Sequence, residues 1–198
     1  MKPSKFQFFT RLVLAAAADV GSGLLIALWM SGQQNHPRSI GLYVVAGLMG
    51  LSCDLDLLAS GANHDDLLHK PILVIGFPIG IGLMFPAVGF WCFLWAACNT
   101  AHLVHDSIGD ANSGGVAWLW PFYGKFFTFA FSNHLAHEHR RERAEVLPVY
   151  VHYRQTLVEA LNTKDWLNFY YSRITLEVLF GVSTLTVGCM LALLSLGM

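Results

Sequence analysis

Apolar residues in this chain fall into long unbroken blocks, not into the alternating or one-faced patterns of soluble strands and helices. Leu12 to Met30, Ile40 to Leu58, Leu67 to Ile108 and Ile174 to Leu196 are each long enough to cross about 30 Å of hydrocarbon at about 1.5 Å per residue. The third block is about twice the length one helix needs. It carries Pro78 and Pro86, with Gly76, Gly80, Gly82 and Gly89 around them. A proline removes a helix donor and restricts the residue before it, so this block predicts two helices turning near Phe85-Pro86. The pattern therefore predicts an all-α, polytopic transmembrane helix bundle: one membrane domain over residues 1–198, with spans at about 12–30, 40–58, 67–85, 87–108 and 174–196.

The segment 109–173 is mixed. Val116 to Phe131 is rich in aromatics and broken by Pro121, Gly124 and Lys125, which suits an interfacial or re-entrant element. Tyr150 to Tyr171 reads as a polar-faced, amphipathic helix on the cytoplasmic surface.

Composition agrees with a bilayer: 55% of the 198 residues are hydrophobic and 13% charged, against about 25% charged in soluble domains. A net charge of −1 gives no reason to expect nucleic acid as a partner. Lys2, Lys5 and Arg11 precede the first span without a cleavage site, so that span is read as retained. With the N-terminus inside, the loop 31–39 carries only Arg38, and the remaining Lys and Arg after it fall on the cytoplasmic side. Treating 67–108 as one span would instead place the basic cluster His139 to Arg143 outside. The four cysteines (Cys53, Cys92, Cys98, Cys189) lie in apolar stretches without metal-ligand spacing and read as small apolar residues.

Ionisable residues near a bilayer core are costly, and here they gather at helix ends. Asp54 and Asp56 close the second span; His64, Asp65, Asp66 and His69 open the third; His102, His105, Asp106 and Asp110 close the fourth. The topology brings all three ends to the cytoplasmic face. Imidazole and carboxylate without thiolate suit zinc first, with manganese or iron as alternatives. His102, His105 and Asp106 share one helical face. Any one of these residues alone would read as a solvated helix end or an amphipathic interfacial side chain; the gathering is what points to a metal.

LSCDLDLL (Leu51 to Leu58), NHDDLLHKP (Asn63 to Pro71) and AHLVHDSIGDANSGGVAWLWPF (Ala101 to Phe122) resemble, in order and separation, the predicted bacterial membrane-bound metal-dependent hydrolases, the YdjM-like inner-membrane proteins. That pattern runs P-D-x-D, then H-R-G-x-x-H, then H-x-x-x-D before a G-V-x-L-L-W-P-like stretch. The resemblance covers about half the chain. It implies metal ligation by Asp54, Asp56, His64, His69, His102 and Asp106, a bacterial inner-membrane location, and hydrolysis by a metal-activated water at the cytoplasmic face. Membrane lipids are the implied surroundings, and a lipid or lipid-linked ester the implied substrate. The chain departs from the pattern at Cys53, where proline is expected, and at Asp65-Asp66, which replace Arg-Gly and remove a cation suited to phosphate. His105 is an addition to the pattern; it is expected to serve catalysis, as a proton carrier, an extra ligand or a partner of the ligands.

Two other readings stand beside this one. His64/His69, His102/His105 and His134/His137/His139 resemble the histidine boxes of membrane di-iron hydroxylases and desaturases, although a basic stretch touching anionic headgroups also accounts for His134 to Arg143. In a non-enzymatic scaffold or transporter subunit, the polar cluster would only cement helices.

Overall fold

The computed structural model describes residues 5–55, 68–108, 116–123, 126–129, 149–152 and 176–198. Five α-helices run through them: α1 (Lys5–Gln33), α2 (Ile40–Gly50), α3 (Phe77–Met84), α4 (Pro86–Ile108) and α5 (Leu176–Ser195). Each apolar segment expected from the sequence contains one of them. Pro86–Ser107 and Val178–Ser195 are long and apolar enough to cross a membrane, while Ile40–Gly50 and Ile72–Met84 are shorter apolar helices.

The second and third segments differ from expectation in how they end and begin. The α2 helix opens on Ser39, whose Oγ accepts from the Leu42 N–H at 3.1 Å, but it stops at Gly50 instead of continuing to Leu58. Ser52 donates to the Met49 carbonyl at 2.7 Å, closing the helix end, and Cys53–Leu55 form a single 3-10 turn. Asp54 therefore sits on a tight turn. Where the described residues resume, Ile72–Gly76 form a π-helical turn leading into α3. Pro78 supplies a physical reason: it has no N–H and its ring crowds the carbonyl one α-turn back, and widening the preceding turn relieves both. The break expected at Phe85-Pro86 is present, since Phe85 leaves the helical region (φ −127°, ψ 82°) and α4 starts at Pro86.

The predominantly helical fold carries in addition a two-stranded antiparallel sheet, β1 (Phe126–Phe129) with β2 (Val149–His152), in which Phe126 pairs with His152 and Phe129 with Val149. Val116 to Phe131 is thus partly strand, and the stretch read as helix from Tyr150 begins as strand. Residues 153–171, where the rest of that amphipathic helix was expected, lie outside the described residues.

Small residues let the helices meet closely. A Cβ on Gly21 would lie 2.5 Å from the Leu185 nitrogen of α5, and one on Gly50 would collide with the carbonyl oxygen of Asp19. Both contacts bring backbone against backbone, as in helix pairs built on small residues. One apolar cluster (Leu24, Ala27, Leu42, Ala46, Leu94 and neighbours) fills the space among α1, α2, α4 and α5. A second, of Cys53, Val74, Leu103 and Val116, lies around the polar site described next. Outside these clusters large apolar side chains are uncovered. Only 22% of Val178–Ser195 is buried, which does not suit the core helix of a soluble protein.

Candidate metal centre

The site forms where four segments meet. His102 and Asp106 stand one helical turn apart near the end of α4; His69 immediately precedes the turn into α3; Asp54 is held in the 3-10 turn after α2; and Asp19 reaches in from α1. Nε2 of His69, Nε2 of His102 and Oδ2 of Asp106 form a triangle with all three edges 3.3 Å. Oδ1 of Asp54 is 3.6 Å from His102 Nε2, and the ligand atoms of Asp54, His69 and His102 all lie within 4.8 Å of one another. This His/Asp cluster can hold a metal ion.

Its geometry fits that role. Bonds of about 2.0–2.1 Å to a tetrahedral metal put neighbouring ligand atoms about 3.3–3.4 Å apart, which is the edge of this triangle. Protons satisfy it less well, because one proton lies along one edge, whereas a cation over the triangle meets all three lone pairs. Charge points the same way. Asp19, Asp54 and Asp106 bring three carboxylates beside imidazoles in apolar surroundings, and carboxylates in such a place need positive charge nearby.

The enclosure is uneven. The side chains of His69 and His102 are 0% and 2% exposed, that of Asp106 13% and that of Asp54 31%, so the cluster opens on the side of Asp54. The turn carrying Asp54 is tied to α4 through buried Asn99. Its Oδ1 lies 2.8 Å from both Ser52 Oγ and Cys53 Sγ, its Nδ2 donates to the Trp95 carbonyl, and Trp95 Nε1 donates to Ser52 Oγ at 2.9 Å. On the far side of Asp106, Ser107 donates to the Leu103 carbonyl and accepts from Trp118 Nε1 at 2.8 Å, docking the aromatic segment against the end of α4. Lys70, next to His69, sits 4.6 Å above the ring of Trp120.

Of the six ligands expected, the structure brings together Asp54, His69, His102 and Asp106; Asp56 and His64 lie outside the described residues, as do Asp65, Asp66, Asp110 and His134/His137/His139. His105 points elsewhere on the same helix end. Its Nδ1 is 3.6 Å from Asp19 Oδ1, and its ring lies 5.7 Å from that of Phe180. Sequence reasoning missed Asp19. Its Oδ1 is 3.0 Å from His102 Nδ1 and the residue is 5% exposed. The signal was present: Asp19 is the one ionisable residue between Leu12 and Met30, and such a residue inside an apolar span is itself a functional pointer. Compared with protein-family models, curated proteins and solved structures, the chain matches none of them.

Proposed function

We propose that this chain is a polytopic membrane enzyme, a metal-dependent hydrolase of the bacterial inner membrane with its N-terminus in the cytoplasm, acting on an ester-type bond in a lipid or lipid-linked substrate. The observation that carries the reading is the 3.3 Å triangle of His69, His102 and Asp106 with Asp54 at its open side. Two imidazoles and carboxylate oxygen without thiolate favour zinc, followed by manganese or iron. A divalent metal held there supplies Lewis acidity and a more acidic water, the requirements of hydrolysis near neutral pH. The chain's own groups do the remainder. His69, His102 and Asp106 bind from the buried side, Leu103, Val116 and Cys53 keep that side dry, and the exposed edge of Asp54 leaves room for a substrate.

The lipid assignment draws on the apolar surface of the aromatic segment that packs beside the site. Leu119 and Phe122 are exposed in the aromatic segment that Trp118 and Trp120 dock beside the site, as suits a membrane interface. Together with the resemblance in the three sequence blocks, these features favour hydrolysis over helix cement. The test is hydrolysis of long-chain lipid esters by detergent-purified protein, before and after chelation and re-addition of zinc. Chelator-sensitive, zinc-restored cleavage is expected. Metal-loaded protein that cleaves no ester would remove the hydrolase reading, and bound iron with an oxygen-dependent optical signature would favour an oxidative enzyme in its place.

A further inference from the structure

The carboxylate of Asp19 is an unusual thing to bury in a stretch, Leu12 to Met30, with no other ionisable residue. Its cost in such a setting is offset only by a partner that needs it. The nearer partner is His102, with His105 Nδ1 at 3.6 Å beyond it: Oδ1 of Asp19 lies 3.0 Å from His102 Nδ1, on the opposite edge of the ring from the Nε2 that joins His69 and Asp106. A neutral imidazole has one N–H. If Nδ1 carries it towards Asp19, Nε2 is left with a lone pair aimed into the triangle, as a metal ligand requires.

The backbone around Asp19 is held as firmly as the side chain. Gly50 of α2 packs directly on the Asp19 carbonyl oxygen, and on the other side Gly181 of α5 approaches the Ala18 nitrogen, where a Cβ would stand at 3.3 Å. Asp19 is thus wedged between two helices at the level of the site. Gly50 also lies just before the turn that carries Asp54, so one close helix contact sets the place of both carboxylates.

We infer that Asp19 is a positioning residue of the metal centre, holding Nδ1–H of His102 so that Nε2 faces the metal, and that the first helix is therefore part of the site. This rests on the metal reading, and the test separates the two. Wild-type and Asp19→Asn proteins are purified in detergent, stripped of metal and titrated with cobalt(II), with zinc(II) as competitor. The affinity and the visible cobalt absorption band are both read. Wild type is expected to bind both ions; Asp19→Asn should bind zinc about 10–100-fold more weakly, with an altered cobalt band, because the ring is less firmly oriented and less basic. A role in packing alone would change the stability of the metal-free protein and leave affinity and band where they were. That result overturns the inference and leaves the metal reading intact, whereas failure of wild type to bind either ion removes the metal reading itself. A second measurement needs no variant. Histidine nitrogen NMR of the metal-free wild-type protein should show His102 protonated at Nδ1, and a proton on Nε2 with Nδ1 bare would overturn the inference.

Discussion

At the scale of single residues, ligation and support make different demands, and substitutions separate them. His69→Ala or His102→Ala removes one corner of the 3.3 Å triangle, and Asp106→Ala removes the third. Each is expected to strip most of the bound metal, measured by metal content after gel filtration, because water replaces a lost bond poorly in a site this enclosed. His105→Ala is expected to keep the metal and at most weaken its affinity, since the ring meets Asp19 and Phe180 and has the distance of an outer partner. If His105→Ala empties the site while Asp106→Ala leaves it filled, the ligand assignment on α4 is wrong. The spacing of His102 and Asp106 was legible in the sequence because a helix stacks residues four apart. Asp19 was marked as a lone ionisable residue in an apolar span, but its pairing with His102 was not legible, because that partner lies on a helix far along the chain.

At the scale of elements, two contacts hold the site together and each can be broken on its own. Gly50→Val would drive a side chain into the Asp19 backbone. The expected result is a loss of about 1–3 kcal/mol from overpacking, with weaker zinc binding because Asp19 and Asp54 both move; wild-type affinity would show that the α1–α2 contact does not position them. Trp118 and Trp120 should respond differently. Trp118→Phe loses the Nε1 bond to Ser107, about 0.5–1.5 kcal/mol, and loosens the end of α4 beside Asp106. Trp120→Ser leaves that bond alone and removes the ring beneath Lys70. Thermal stability is expected to fall for Trp118→Phe, and activity on lipid to fall for Trp120→Ser at unchanged metal content. The helices were legible from apolar block length, and the break at Pro86 from proline chemistry. The early stop of α2 was harder to see, because Ser52 and Asn99 end it through a bond to another helix. The pairing of β1 with β2 was hidden for a related reason: Phe126–Phe129 and Val149–His152 are short, and each becomes a strand only through a distant partner.

At the scale of the whole molecule, the proposed membrane insertion and the candidate metal centre bear on each other. In the membrane reading proposed above, the uncovered apolar side chains along α5 would meet lipid, and the gathering of Asp54, His69 and His102 at one end of the bundle follows if α2, α3 and α4 cross in alternating directions. Five spans with the N-terminus inside predict that a reporter fused after Met198 is periplasmic and one inserted near Arg141 cytoplasmic; both on one side would contradict that topology. The most direct measurement is the metal content of protein extracted from membranes and purified in detergent, wild type beside His102→Ala. At least one transition-metal ion per wild-type chain, lost in the variant at equal yield of folded protein, is the predicted result. Equal metal in both, or none in either, would contradict a metal centre at His69, His102 and Asp106.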